Sequence, residues 1–349
     1  MSDSAINPFQ LQWVFADVTS PQDNPAPPTN PYLEWAFAES LSHSVQELPD
    51  TWEDVGALPN DLRGMVVYKP SFMQQLFGIS SGGFATVYGG QLTVGERIMK
   101  VVIKCMHRSS DDVDIILDQN RKRFAREIRV ARKLIHPNIV RFYGICSGIR
   151  ITMGEDDPAL IFEYCEGHSI TDYLKKNPET SRLPLIINVA AGLSYMHANG
   201  IIHGDLKPNN VFIKIFGDNI RAVLGDFGSA RILDVDMPSV VRAGHARYDA
   251  PEIAFSEDDA VLTKESDVFA FSLTALAIVT GRELLQDEDT EGLHERIATH
   301  GERPLRSDFG SSEMSDKLWE TLEKCWNQEP SKRLEISQVL SELRGLATV

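Results

Sequence analysis

The chain has 349 residues, 42% apolar and 24% charged, with a net charge of −16. The length suits one two-lobed domain with a tail, or two modest domains, and the balance is that of a soluble globular protein with a sizeable core. So acidic a chain argues against a nucleic-acid partner.

The first stretch, 1–65, differs in composition from the rest of the chain. Pro21 to Pro31 holds five prolines among Asn, Thr and Gln, which predicts extended, irregular backbone. Aromatic-bearing pieces flank it, Phe9 to Phe15 and Tyr32 to Phe37, more than pure disorder usually carries. A tail that docks on a folded surface is the reading preferred. The first residues, Met1 to Pro8, lack the basic-then-apolar pattern of a secretory signal.

From Met65 to about Phe162 the pattern is β-rich, with strands expected over 84–88, 98–106, 139–145 and 160–164. One helix interrupts them over 118–135, where Phe124, Ile128, Ala131 and Ile135 form one apolar stripe. Basic residues Arg121, Lys122, Arg123, Arg126, Arg129, Arg132 and Lys133 read as a solvated helix face balanced by the acidic run Asp111 to Asp114. After Gly167 helices dominate, over 169–176, 183–199, 264–280, 316–327 and 336–343. The most apolar segment, Val268 to Val279, falls short of the ~20 residues a bilayer span requires and reads as a buried helix. Cys105, Cys146, Cys165 and Cys325 are scattered among apolar neighbours with no C-x-x-C pair, which suits reduced thiols in a cytosolic or nuclear protein.

Two segments carry the chemistry. Residues 203–210 read His-Gly-Asp-Leu-Lys-Pro-Asn-Asn, and residues 226–228 read Asp-Phe-Gly. A carboxylate poised by a loop can orient an attacking hydroxyl, while an amide five positions on and a second carboxylate beside a Phe-Gly turn can hold a metal that neutralises phosphate charge. Either segment alone is a turn with capping side chains as readily as a site. Both in order, joined by the strand-like run Val211 to Lys214, point to phosphoryl transfer from Mg-ATP.

In these segments the chain resembles the eukaryotic protein kinase family, over roughly residues 66–346. The resemblance implies an α+β, bilobal fold: a small β-rich N-lobe with one helix over 66–163, a larger helical C-lobe over 167–346, and 1–65 as an N-terminal extension. It implies Asp205 as catalytic base, Lys207 beside the transferring phosphate, and Asn210 and Asp226 as Mg ligands. Val101-Val102-Ile103-Lys104 resembles the family's V-A-I-K, and Glu127 stands at the spacing of the partner that pairs with Lys104. The phosphate-covering loop reads Ser80-Ser81-Gly82-Gly83-Phe84-Ala85-Thr86-Val87. Ser80, Gly82, Gly83, Phe84 and Val87 would thus cover the phosphates of ATP. Val102 and Phe212 would form opposite walls of the adenine slot, Phe162 its back, and Glu163 to Cys165 the lobe-joining segment. Ala250-Pro251-Glu252, Arg333 and Asp267 match structural positions of the family. Cys325-Trp326 and Gly301-Glu302-Arg303-Pro304 look most like its tyrosine-kinase-like group, and Asp-Leu-Lys-Pro looks like Ser/Thr kinases. A cytoplasmic Ser/Thr kinase acting on protein substrates is therefore expected, with no nucleic acid or membrane span. The acidic tail is expected to contact the basic helix and tune the Lys104–Glu127 pair.

Several residues depart from the family pattern. Ser80 and Ala85 replace glycines, Val102 replaces Ala, Gly204 replaces the Arg of H-R-D, His245 follows Gly244 where Thr is usual, and Ala131 is small. Together they support an alternative, a pseudokinase or scaffold that binds nucleotide and partners. The missing Arg also suggests activity independent of loop phosphorylation. His-Gly-Asp additionally resembles the loop of small-molecule phosphotransferases, which lack Asp-Phe-Gly and Ala-Pro-Glu.

Overall fold

A computed structural model describes residues 62, 66–68, 85–94, 97–106, 114–146, 159–233, 247–254, 261–281, 301–308 and 314–347. Nearly all of 1–65, and the stretch holding Ser80 to Phe84, lie outside these. Strands β1 (Val66–Tyr68), β2 (Ala85–Val94), β3 (Arg97–Met106), β4 (Phe142–Cys146) and β5 (Ala159–Glu163) form an antiparallel sheet in the order β1-β2-β3-β5-β4. One helix, α1 (Asp114–Lys133), interrupts them.

The strand expected over 84–88 continues to Val94 through Gly89 and Gly90, because pairing with β3 along its whole length outweighs the weak strand preference of glycine. The strand expected over 139–145 begins at Phe142 instead; Ile139 makes a single parallel bridge to Leu224 of the other lobe.

The sheet is strongly curled. Leu62 N–H donates to Ile145 O of β4 at 2.6 Å, and four residues later Val66 pairs with Leu92 of β2. Four residues reach ~15 Å at most, whereas the outer strands of a flat five-stranded sheet stand ~19 Å apart. The curl closes over Val66, Leu92, Val101, Ile103, Cys146, Ala159 and Ile161.

The second lobe holds helices α2 (Ile170–Lys176), α3 (Leu183–Ala198), α4 (Pro251–Ala254), α5 (Lys264–Thr280), α6 (Asp316–Cys325) and α7 (Ile336–Leu346). Its short strands are β6 (Ile201–Ile202), β7 (Val211–Phe216), β8 (Asn219–Leu224) and β9 (Arg231–Ile232). β6 pairs with β9 and β7 with β8. The helix starts follow local chemistry: Ser169 and Ser315 cap α2 and α6, and Thr263 with Ser266 forms a capping box on α5. α5 carries the apolar run Val268 to Val279 and is buried on every side, so it is the core of this lobe and needs no amphipathic pattern. The main core joins α3, α5, α6 and α7 to β7, β8 and the inner face of α1. Among the described residues no helix is long and apolar enough to cross a membrane.

Candidate active site

β3 places Lys104 opposite Val87 on β2 and Leu160 on β5. Its ammonium bonds Glu127 Oε1 at 2.6 Å and Asp226 Oδ1 at 2.8 Å. The expected Lys104–Glu127 pair is thus formed, and the same lysine reaches across to the second lobe. Burial works against the ammonium, but the charges of Asp226 and Glu127 outweigh it and hold the Lys104 pKa above the ordinary lysine value. Burial likewise disfavours the Asp226 carboxylate, and Lys104 outweighs it, holding the pKa below the usual carboxylate range. Burial pushes the Glu127 carboxyl up, with Lys104 opposing.

β6 delivers the chain to the loop 203–210. His203 is fully buried, and its ring nitrogens fix one tautomer. Nε2 lies 3.2 Å from Gly225 O, and Nδ1 accepts from Asp205 N–H at 3.3 Å. An acceptor at Nδ1 and a donor at Nε2 describe a neutral imidazole. Asp267, buried on α5, ties the loop down. Its Oδ2 accepts from His203 N–H at 2.7 Å and lies 2.8 Å from His197 Nε2, while Oδ1 accepts from Gly204 N–H at 2.9 Å.

Gly204 sits at φ +73°, and a Cβ there would stand 2.7 Å from Leu262 Cδ1 and 2.8 Å from Ser229 O. A left-handed turn pressed against a carbonyl explains why glycine stands where arginine was expected from the resemblance.

Asp205 faces Lys207, whose Nζ lies 3.1 and 3.0 Å from its two oxygens. Asn210 Nδ2 donates to Asp205 O at 2.7 Å and to Asp205 Oδ2 at 3.1 Å, and Asn210 O accepts from Gly225 N–H at 2.9 Å. The amide therefore spends its N–H groups on Asp205 and keeps Oδ1 free of those bonds. Asp226 adopts φ +58° and opens on the cleft. Asp226 and Asn210 Oδ1 are hard oxygen donors of the kind Mg takes when it keeps waters and binds phosphate at the same time. Among the described residues no group of three or more His, Cys, Asp or Glu gathers as a closed metal cage, and a cation shared with phosphates requires none.

Behind Asp226, Phe227 is buried, with its ring 6.0 Å from His203 and 6.5 Å from Phe162, which in turn lies 5.2 Å from Phe142. Ala131 is buried in the same core.

Val102 of β3 and Phe212 of β7 are both half-buried at the edge of this core. Phe212 has its ring against Gly225: a Cβ on that glycine would lie 2.8 Å from Cε2 and 3.0 Å from both Cδ2 and Val140 Cγ2. The bulk of Phe212 is thus accommodated by the missing side chain of Gly225. The lobe-joining segment is tied to β7. Glu163 Oε1 lies 2.5 Å from Lys214 Nζ, Gly167 N–H donates to Ile213 O at 2.9 Å, and Ile213 N–H donates to His168 O at 2.8 Å. Burial pushes the Cys165 thiol well above its usual range, so it is an inert apolar neighbour.

Arg333 Nη1 and Nη2 grip Glu252 at 2.6 and 2.7 Å, and Arg333 also donates to Asn327 O and Glu265 O. Glu252 thereby fixes α4, and with it the residue just upstream that sequence reasoning passed over. Asp249 has its Oδ2 shut off from solvent with no hydrogen-bond partner. Burial first, then the charge of Asp205, push its carboxyl up to about 7, with Lys207 opposing. Gly225 was passed over as well. The only sequence signals are an acid between Tyr248 and Ala250 and a glycine before Asp226.

The structure thus brings Lys104, Glu127 and Asp226 into one contact set and Asp205, Lys207 and Asn210 into another, joined through the bond from Gly225 N–H to Asn210 O. Val87, Val102, Glu163, Cys165 and Phe212 lie on the elements expected of them. Ser80, Gly82, Gly83, Phe84, Gly244 and His245 lie outside the described residues.

A family model described as "Protein kinase domain" matches residues 74–343. Among curated proteins the chain is similar to the serine/threonine-protein kinase STY46 of Arabidopsis thaliana, 28% identical over 319 residues covering 90% of this chain and 51% of that one. It is similar to the serine/threonine/tyrosine-protein kinase HT1 of the same plant, 24% identical over 361 residues covering 98% and 87%. It is also similar to the serine/threonine-protein kinase PkaA of Streptomyces coelicolor, 31% identical over 263 residues covering 72% and 44%. The chain spans about half the length of STY46 and less than half of PkaA. With the matched region covering most of the sequence, and a bilobal α+β architecture around it, the chain belongs to the protein kinase family.

Proposed function

We propose that this chain is an active protein kinase that transfers the γ-phosphoryl group of ATP to serine or threonine hydroxyls of protein substrates. The observation that carries the proposal is the closed contact set from Glu127 through Lys104 to Asp226 on one side and from Lys207 through Asp205 to Asn210 on the other. Asp205 accepts or orients the proton of the acceptor hydroxyl, and Lys207 offsets the charge that builds between hydroxyl and phosphate. Lys104, held by Glu127, meets the phosphates. Asn210 and Asp226 would hold Mg, which when bound supplies charge neutralisation across the phosphate oxygens. Val102 and Phe212 clasp the base, and backbone at Glu163 to Cys165 meets its edge. Ser80, Gly82, Gly83 and Phe84 cover the phosphates in this reading.

The tyrosine-kinase-like assignment is supported by contact between its two sequence marks. Arg303 Nε donates to Trp326 O at 2.9 Å and Nη2 to Gln328 Oε1 at 2.6 Å. We read residues 1–65 as an extension that docks on the basic face of α1, and the kinase domain as 66–346. Four free cysteines, three of them buried, support a reducing compartment such as the cytoplasm. The net charge of −16 supports protein rather than nucleic-acid partners.

The test is transfer of label from radioactive ATP with Mg to the chain itself or to casein. Wild type is expected to label, and Asp205→Asn is expected to lower the rate ~10²–10⁴-fold while retaining nucleotide binding. Wild type that binds ATP and labels nothing would establish the scaffold alternative instead.

A further inference from the structure

The backbone at Gly228 does not require glycine. Its φ lies outside the left-handed region that Gly204 and Asp226 occupy, so another residue could adopt the same conformation. What the missing side chain provides is space. A Cβ at 228 would stand 3.1 Å from Arg123 Nη2 and 3.2 Å from Arg123 Nε, with Asp226 Oδ1 at 3.4 Å. The guanidinium of Arg123 therefore lies directly on Gly228. It is half-buried there, which sets Arg123 apart from the solvated face that the basic run predicts.

The turn beneath it carries the proposed metal ligand and is strained. Asp226 has a side chain yet adopts φ +58°, which costs about 1–2 kcal/mol. A residue keeps such a shape only where its surroundings hold it. Phe227 is buried behind the turn, Asp226 Oδ1 accepts a long bond from Gly228 N–H at 3.4 Å, and Lys104 Nζ lies 2.8 Å from the same oxygen. In the proposed function Lys104 meets the phosphates, so its hold on Asp226 loosens when ATP arrives. Arg123 stands on α1 one turn before Glu127, and its contact with Gly228 does not pass through Lys104. Burial disfavours the carboxylates of Asp226 and Glu127; Lys104 offsets it first at each, and the charge of Arg123 adds to that.

We infer that Arg123 is a positioning residue: lying on Gly228, it keeps the Asp226 turn in its strained shape once Lys104 engages the phosphates, and so lets Asp226 hold Mg. The inference rests on the proposed kinase function and adds to it a second tie between α1 and the metal-holding turn. The charge of Arg123 by itself works the other way, since a cation beside Asp226 repels Mg. A weaker response to Mg on neutralising Arg123 can therefore come only from a displaced turn.

The test measures the equilibrium affinity of the full chain for a non-hydrolysable ATP analogue, with Mg and with EDTA in its place, beside kcat and KM for casein. In Arg123→Gln the affinity in EDTA is expected to match wild type, while the gain on adding Mg falls about tenfold. Transfer is expected to lose about tenfold in kcat with KM for casein unchanged. Gly228→Ala puts a methyl where the guanidinium lies and is expected to reproduce these losses. The double variant Gly228→Ala with Arg123→Ala is expected to do no worse than Arg123→Ala alone, because the two changes break one contact. Losses that add in the double variant would overturn the inference, as would an Mg gain in Arg123→Gln equal to or above that of wild type. Affinity that falls equally with and without Mg, together with a lower melting temperature, would show a structural role only and overturn it as well. Wild type whose affinity ignores Mg would overturn the metal site of the proposed kinase, and this inference with it.

Discussion

Restoring arginine at position 204 is expected to damage the protein, although arginine is the residue its family resemblance calls for. Gly204 is held at φ +73°, where an ordinary side chain costs about 1–2 kcal/mol. A Cβ would also stand 2.8 Å from Ser229 O and 2.7 Å from Leu262 Cδ1. The leucine methyl can rotate away, but the carbonyl belongs to backbone three residues past Asp226. Relief therefore needs either that backbone or the loop at 204 to move. Moving the loop weakens the 2.9 Å bond from Gly204 N–H to Asp267 Oδ1, worth about 0.5–1.5 kcal/mol, more to a charged acceptor. Together the terms give about 2–4 kcal/mol for either Gly204→Ala or Gly204→Arg. Asp205 is the next residue, so transfer should drop about tenfold or more, even where the variant stays folded. Urea unfolding read beside phosphotransfer tests this, with phosphatase-treated and untreated enzyme compared in parallel. Wild type is expected to keep its rate after phosphatase treatment. Gly204→Arg with wild-type stability and rate, or with a rate that rises on loop phosphorylation, would refute the argument.

Asp267→Ala strands the buried N–H of His203, the half-buried N–H of Gly204 and buried His197, which predicts a loss of about 3–5 kcal/mol in thermal or urea unfolding; a loss under ~1 kcal/mol would contradict it. Gly225→Ala puts a methyl 2.8 Å from the Phe212 ring and should push that ring toward the base slot, raising KM for ATP about tenfold with kcat little changed. Adding Phe212→Leu to Gly225→Ala should restore KM, and failure of the double variant to recover would show that the two do not act as a pair. Asp249, with its carboxyl pushed up to about 7 against an ordinary value near 3.8, binds a proton when folded that it lacks when unfolded. Across that window the folded state holds more protons, so its stability falls as pH rises. The stability difference between wild type and Asp249→Asn should widen from pH 5 to pH 8, and a flat difference by thermal melting would count against the buried carboxylate.

How much of this was legible in the sequence depends on the range over which each feature is decided. The helices were read well because caps and apolar spacing are local: 264–280 matches α5 at both ends, and 183–199 overshoots α3 by one residue. The run at Phe84 to Tyr88 was cut short because Gly89 and Gly90 look like a stop, and only pairing with β3 carries the strand onward. β1, β6 and β9, at two or three residues each, are too short to show a period. The side chains proposed to act on ATP could be singled out from sequence because phosphoryl transfer demands given side chains at fixed spacings. The left-handed turns at Gly204 and Asp226 leave no compositional mark beyond the glycine itself. Asp249 and Gly225 were missed for the same reason: each matters through residues distant along the chain, Asp205 and Lys207 in one case, Phe212 and Val140 in the other.

The departures from the family pattern bear on whether the chain does chemistry or only binds. One of them, Gly204, and the bulk of Phe212 each come with a visible accommodation. Phe212 is large where Gly225 is empty, and Gly204 is empty where Ser229 and Leu262 press in. Neither accommodation touches the polar groups, which keep their bonds. Those groups are costly to keep. Lys104 and Glu127 are removed from water, and a well-packed apolar pair in their place would be as stable or more so. Asp249 adds a carboxylate oxygen that is shut off from solvent with no hydrogen-bond partner. A scaffold gains nothing from such liabilities, since it needs the surface and the core but not a lysine held between two acids. A kinase needs that lysine, because phosphates must find a cation already in place and water already displaced. The retained cost is therefore the physical argument for an enzyme. Lys104→Met alone should drop transfer to the rate of Asp205→Asn and also lower the melting temperature, because it strands buried Glu127 beside Asp226; adding Glu127→Leu should recover the melting temperature and not the rate, and a double variant that melts below Lys104→Met would refute the argument.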